Sequence, residues 1–208
     1  MFFGVLLAEV IGLSAAGGGA VVLPLLATQI LWINLVTDGA PALALGVDPA
    51  DPGLMNQPPR SKSEGVITPS MWFGIFFVGV VMAIGTLFVL DVSLPGGLIS
   101  GSGDLRYAQT MAFTTLMLCQ LFNVFNARSD TASAFTRLFT NRWLWAAVGL
   151  SLALHVLVIY TPFLQQAFST TGLSVRDWLL CLVVASSVLW MREASKAAAR
   201  AMRRRSVS

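Results

Sequence analysis

From Met71 to Leu90 the chain carries no charged side chain. A helix rises about 1.5 Å per residue, so about 20 apolar residues cross the hydrocarbon core of a bilayer. A backbone in lipid must satisfy its own hydrogen bonds, and a helix does so within one segment. The pattern repeats along the chain. The sequence predicts an all-α integral membrane protein with five full transmembrane helices, at 22–46, 71–90, 107–126, 143–161 and 173–191. An apolar stretch at 1–13 is too short to span and reads as a truncated helix, as if the chain opened inside one. Residues 192–208 form a basic tail, and the whole of 1–208 makes one membrane domain.

Local signals agree with these spans. Thr68-Pro69 reads as an N-cap followed by proline at the first helical position. Ser174 with Asp177 three residues later reads as a capping pair, and Thr161-Pro162 as a stop. Gly17-Gly18-Gly19 separates the truncated helix from the next, and Pro95-Gly96-Gly97 with Gly101-Ser102-Gly103 marks a flexible loop. Trp72, Trp143, Trp145, Trp178 and Trp190 fall near span ends, as an aromatic belt requires.

Charge excludes the soluble classes and orients the chain. Only 11% of residues are charged and 56% are apolar, against about a quarter charged in soluble domains. That excludes an ordinary soluble domain, a disordered chain and a nucleic-acid binder, despite a net charge of +3. Loop 47–70 holds Arg60 and Lys62, and loop 127–142 holds Arg128, Arg137 and Arg142. The tail adds Arg192, Lys196, Arg200, Arg203, Arg204 and Arg205, whereas loops 91–106 and 162–176 hold only Arg106 and Arg176. The positive-inside rule puts the first two loops and the C-terminus in the cytoplasm. The tail's charges face anionic lipid headgroups.

One charge is out of place. Asp38 lies within a predicted span, where a charge costs about 2.5–3.5 kcal/mol on insertion scales. Asn34, Thr37 and Asp38 stand at i, i+3 and i+4, so their oxygens share a face. Gly39 and Pro41 follow, and proline removes the amide that would bond the Thr37 carbonyl, loosening the helix over Thr37–Pro41. Oxygen side chains, freed carbonyls and one negative charge describe a hard-cation site. Gln120, Asn123 and Asn126 form a second polar stripe, read first as interhelical glue. Glu9 reads as a residue near the far interface, and His155 as a packed neutral histidine. Cys119 and Cys181, both in apolar runs, read as reduced packing residues. The chain has no phosphate loop, no HExxH, no CxxC and no Ser–His–Asp pattern.

The run from Leu31 to Gly46, with Asn34-Leu-Val-Thr-Asp38-Gly at its centre, closely resembles the sixth transmembrane helix of calcium-transporting P-type ATPases. Met55-Asn-Gln-Pro-Pro-Arg60 resembles the signature of the following cytoplasmic loop. The resemblance extends over nearly the whole chain and makes the truncated stretch the second half of helix five, the others helices six to ten. It implies that Asn34 and Asp38 ligate calcium with Thr37 beside them, and that Gln120 takes the helix-eight ligand position. Gln there implies a one-ion site. Glu9 does not match the family's helix-five Glu, which would precede Met1.

The same resemblance implies a coupling loop containing Asp48, Asp51, Pro58, Pro59 and Arg60. It implies partners in the bilayer and in the remaining N-terminal part of a pump, with helices one to five and the cytoplasmic domains. The phosphorylation segment and a nucleotide site are not in this sequence, so the chain alone would not hydrolyse ATP. Manganese or sodium could replace calcium at such a site. A bacterial inner membrane fits the short loops and Ala/Gly-rich spans. The rival readings are a free-standing membrane subunit, a channel or carrier using the Asp38 face, and an inactive gene fragment.

Overall fold

The computed structural model describes residues 23–49, 67–95, 101–128, 133–135 and 138–205. The predicted helix at 1–13, Glu9, the glycines at 17–19, and Asp51, Pro58, Pro59 and Arg60 lie outside the described residues. Among the described residues the structure is all-helical. Its helices are α1 (Ala27–Gly46), α2 (Pro69–Ser93), α3 (Leu105–Ala127), α4 (Arg142–Tyr160), α5 (Pro162–Phe168) and α6 (Val175–Arg205).

The two caps that the sequence predicts both form, and two more appear. The Thr68 hydroxyl accepts from the Met71 amide at 3.3 Å, with Pro69 opening α2. Ser174 and Asp177 close their reciprocal box at 2.8 and 3.3 Å. Asp104 and Asn141 cap α3 and α4 through the amides of Tyr107 and Leu144, at 2.7 and 3.0 Å. Thr161-Pro162 does end α4, but Pro162 at once starts the short α5, because proline suits a first helical turn as well as it stops a last one.

Two features differ from expectation. α6 does not end at Met191 but continues to Arg205, absorbing most of the predicted tail. No glycine or proline interrupts 173–205, and Ala, Arg, Lys and Met there are strong helix formers. The Gly101-Ser-Gly103 segment is a clasp as well as a loop. The Gly101 amide donates to Leu94 O at 2.9 Å and the Gly103 amide to Ser93 O at 3.2 Å, satisfying carbonyls left over at the end of α2. A Cβ at Gly101 would collide with the Val92 carbonyl oxygen and come within 2.6 Å of the Ser93 carbonyl carbon.

Three helical segments are long and apolar enough to cross a membrane: Met71–Ser93, Arg142–Tyr160 and Val175–Ala198. The predicted count was five. The other two candidates, α1 and α3, are 20 and 23 residues long but more polar. Packing gives the reason in α3. It lies at the centre of the bundle against α6, α2, α1 and α4. From Ala108 to Thr115 every residue is buried, so this helix shows neighbours rather than solvent on all sides. Its hydroxyls bond inside the bundle, as Thr110 does to Arg106 O and Thr115 to Met111 O. By contrast α2 turns Trp72, Phe73, Phe76, Ile84 and Phe88 outward, an apolar surface suited to lipid.

The main core joins Ile33 and Val36 of α1, Val78, Val81 and Val89 of α2, Met111, Phe113 and Met117 of α3, Val158 and Ile159 of α4, and Cys181, Ala185 and Val188 of α6. Cys119 and Cys181 are buried free thiols, as expected, with Cys181 Sγ 3.8 Å from Met111 Sδ. His155 is buried against Phe113, its Nε2 3.2 Å from Thr114 Oγ1. Trp72 and Trp143 are exposed near the starts of α2 and α4, whereas Trp190 is exposed in the middle of α6, because that helix runs on past its expected end.

Candidate cation site

α1 has two faces, set by helical periodicity. Gln29, Ile33, Val36, Thr37, Pro41 and Ala44 are buried against the bundle. Asn34 and Asp38, one turn apart, are exposed on the opposite face with Leu31, Leu35 and Leu43. The expected trio is therefore divided. The amide and carboxylate share one surface, while the Thr37 hydroxyl turns inward and donates to Ile33 O at 2.8 Å. Its oxygen keeps lone pairs, but on the bundle side of the helix. The period of 3.6 puts residue 37 about 60° from residue 34 and about 100° from residue 38 around the helix, a spread that spacing alone does not resolve once neighbours pack.

The backbone around the pair has a defect without a break. α1 is continuous from Ala27 to Gly46 with Pro41 inside it, so the expected loosening does not interrupt the helix. Pro41 nonetheless offers no amide to the Thr37 carbonyl. Gly39 has open space where a Cβ would stand, so nothing crowds the turn beside Asp38. Gln120 is half-buried on α3 and makes no hydrogen bond to α1 among the described residues. Its stripe-mate Asn126 is buried, with Nδ2 3.4 Å from Val188 O of α6, as interhelical glue should be. Among the described residues no group of three His, Cys, Asp or Glu side chains could hold a metal ion.

The buried side of α1 is tied to the scaffold along its length. At the start, Gln109 of α3 donates to Leu23 O at 2.7 Å. Gln29, fully buried, accepts from the Leu26 amide at 3.1 Å and donates to Phe168 O of α5 at 3.0 Å, while Trp32 meets Phe168 edge-on. In the middle, Ser151 of α4 donates to Val36 O at 2.8 Å. At the end, Asn141 donates to Ala44 O at 2.8 Å. Just past it, Asp48 takes a two-pronged contact from Arg128, at 2.9 and 3.1 Å. Of these residues the sequence singled out Asp48 and, for the charge of its loop, Arg128. The signal for the others is an uncharged polar side chain inside or at the edge of an apolar helix, which must find a partner.

Another tie lies near the ends of α3 and α6. Lys196, buried, reaches Asn126 O at 3.3 Å and Glu193 at 3.6 Å. Glu193 also accepts from the Ala134 amide at 2.8 Å. A cation on the last carbonyls of α3 complements the negative end of its dipole.

The fold and site define a class: a membrane protein, all-helical among the described residues, that carries an acid and an amide on the exposed face of a proline-containing helix. The family model for "Cation transporting ATPase, C-terminus" matches residues 22–198, and the chain belongs to that family. It is 40% identical over 174 residues to "Calcium-transporting ATPase 1" of Yarrowia lipolytica (strain CLIB 122 / E 150), which covers 83% of this chain and 18% of that protein. Identity is 39% over 163 residues to "Calcium-transporting ATPase" of Bacillus subtilis (strain 168), covering 78% of this chain and 18% of the relative. It is 38% over 174 residues to "Calcium-transporting ATPase type 2C member 1" of Homo sapiens, covering 83% and 18%. The chain thus spans 18% of the length of these relatives.

Proposed function

We propose that this chain is the membrane part of an ATP-driven calcium pump and that Asn34 and Asp38 form part of a single-ion site. The observation that carries the reading is the exposed amide–carboxylate pair, one turn apart, on a helix whose Thr37 carbonyl is denied its amide by Pro41. A lone charge at membrane depth is costly, and a bound cation offsets that cost. Calcium takes six to eight oxygens. Asn34, Asp38, the Thr37 carbonyl and Gln120 supply a fraction of them. The remainder would come from the rest of the pump, the N-terminal helices and cytoplasmic domains, which would also hydrolyse ATP. Calcium is preferred to manganese or sodium because the relatives are named calcium-transporting ATPases.

In this reading α1 and α3 cross the bilayer with the three apolar helices, making five spans. Shielding by neighbours supports that for α3, since a helix with little lipid contact needs less apolarity. Loop 47–70, with Asp48, Asp51, Pro58, Pro59 and Arg60, relays motion from the cytoplasm, and the Asp48–Arg128 pair ties its start to α3. The C-terminus is cytoplasmic, by the charge of the loops, in a bacterial inner membrane.

The test is radioactive calcium uptake by inverted membrane vesicles carrying the polypeptide that contains this chain. Asp38→Asn removes the charge and keeps the shape, and uptake should fall to background at unchanged protein level. Uptake equal to wild type would refute the site.

A further inference from the structure

We propose that Ser151 of α4 is a positioning residue for the cation site, holding the backbone of α1 at the level of Asn34 and Asp38. This rests on the reading of that face as the calcium site. Ser151 is buried, and its hydroxyl donates to Val36 O at 2.8 Å. Residue 36 stands midway between 34 and 38, on the opposite face of the same turn. The bond therefore grips the turn from behind, at the height of the proposed ligands.

The location gives the bond its consequence. The next carbonyl, Thr37 O, has no helical amide because residue 41 is proline. A turn that has lost one ladder bond is easier to bend and to shift. Hydroxyl bonds to carbonyls of a helix bias its curvature, and here two converge on successive parts of one turn: Thr37 to Ile33 O and Ser151 to Val36 O. The first comes from α1 itself and moves with it. The second comes from α4 and references α1 to the scaffold. Asn141 of the same helix holds Ala44 O two turns further on, so α4 fixes α1 on both sides of Pro41. Without Ser151 the segment between these ties would sample positions in which Asn34 and Asp38 no longer converge on one ion. Ligand placement errors of about 1 Å are enough to lose most of an interaction.

The experiment uses Ser151→Ala, Ser151→Thr and Ser186→Ala in the polypeptide that carries this chain. Among the described residues Ser186 bonds only to Val183 O of its own helix, so it controls for loss of a hydroxyl from the bundle. Calcium uptake is measured against calcium concentration. Ser151→Ala should raise the half-saturating concentration about fivefold, the equivalent of one buried hydrogen bond, with maximal uptake per folded molecule retained. Ser151→Thr, which keeps the hydroxyl, should restore the wild-type value, and Ser186→Ala should leave it alone.

A second measurement does not need transport: amide hydrogen exchange of 36–40 in membranes. Ser151→Ala should speed exchange there about tenfold relative to the rest of α1. Wild-type protein that takes up no calcium would sink the pump reading. Active wild type with an unshifted half-saturation and unchanged exchange in Ser151→Ala would sink the positioning role alone. A fall in maximal uptake with unchanged half-saturation would also overturn it, by showing that Ser151 merely supports the fold.

Discussion

Asn141 joins two helices with one side chain, and replacing it should cost far more than its polarity suggests. Its Oδ1 caps α4 by accepting from the Leu144 amide at 3.0 Å. Its Nδ2 donates to Ala44 O at 2.8 Å, in the last turn of α1. The residue is 3% exposed, so water replaces neither bond. Loss of the cap costs about 1 kcal/mol. Loss of the second bond leaves a buried carbonyl without that donor, worth about 1–3 kcal/mol. Asn141→Ala should therefore destabilise the bundle by about 2–4 kcal/mol. Asn141→Ser separates the parts: it keeps an N-cap acceptor but cannot reach Ala44, so it should recover about 1 kcal/mol. Equilibrium unfolding in mixed micelles, followed by helical ellipticity, gives both values. Equal stability of wild type and Asn141→Ala would refute the double role. Equal stability of the Ala and Ser variants would refute its division into cap and tie.

Glycines separate into two kinds. Gly101→Ala should destabilise by about 2 kcal/mol or more, because the added methyl meets rigid backbone at Val92 and Ser93; Gly149→Ala in α4, where nothing lies within 4 Å, should be neutral or gain up to about 1 kcal/mol, and the same unfolding assay compares them. Both thiols are buried and unpaired with each other, so a membrane-permeant maleimide should label neither Cys119 nor Cys181 in the folded bundle and both after denaturation. Rapid labelling of native protein would contradict the packing of α3 against α6.

The all-helical class and the caps at Thr68 and at Ser174 with Asp177 follow from sequence alone, because a long uncharged run has few alternatives in lipid and caps are local chemistry. Asp38 was visible for the same reason: a charge in an apolar span has no bland explanation. The run of helix to Arg205 was legible in principle, since no breaker interrupts it. Packing decided what periodicity left ambiguous. The inward turn of the Thr37 hydroxyl depends on which neighbours press on α1, and so does the division of α1 into a face tied by Ser151, Asn141 and Gln29 and a face bearing Asn34 and Asp38.

These ties were hidden because each is a lone neutral polar residue, and its partner lies on another helix. Ser151 and Val36 are separated by 115 positions. Sequence determines which residues can enter a bilayer and where a helix begins. Only the tertiary structure decides which carbonyl each buried donor finds, because that choice is made by long-range packing and not by the residue's own segment.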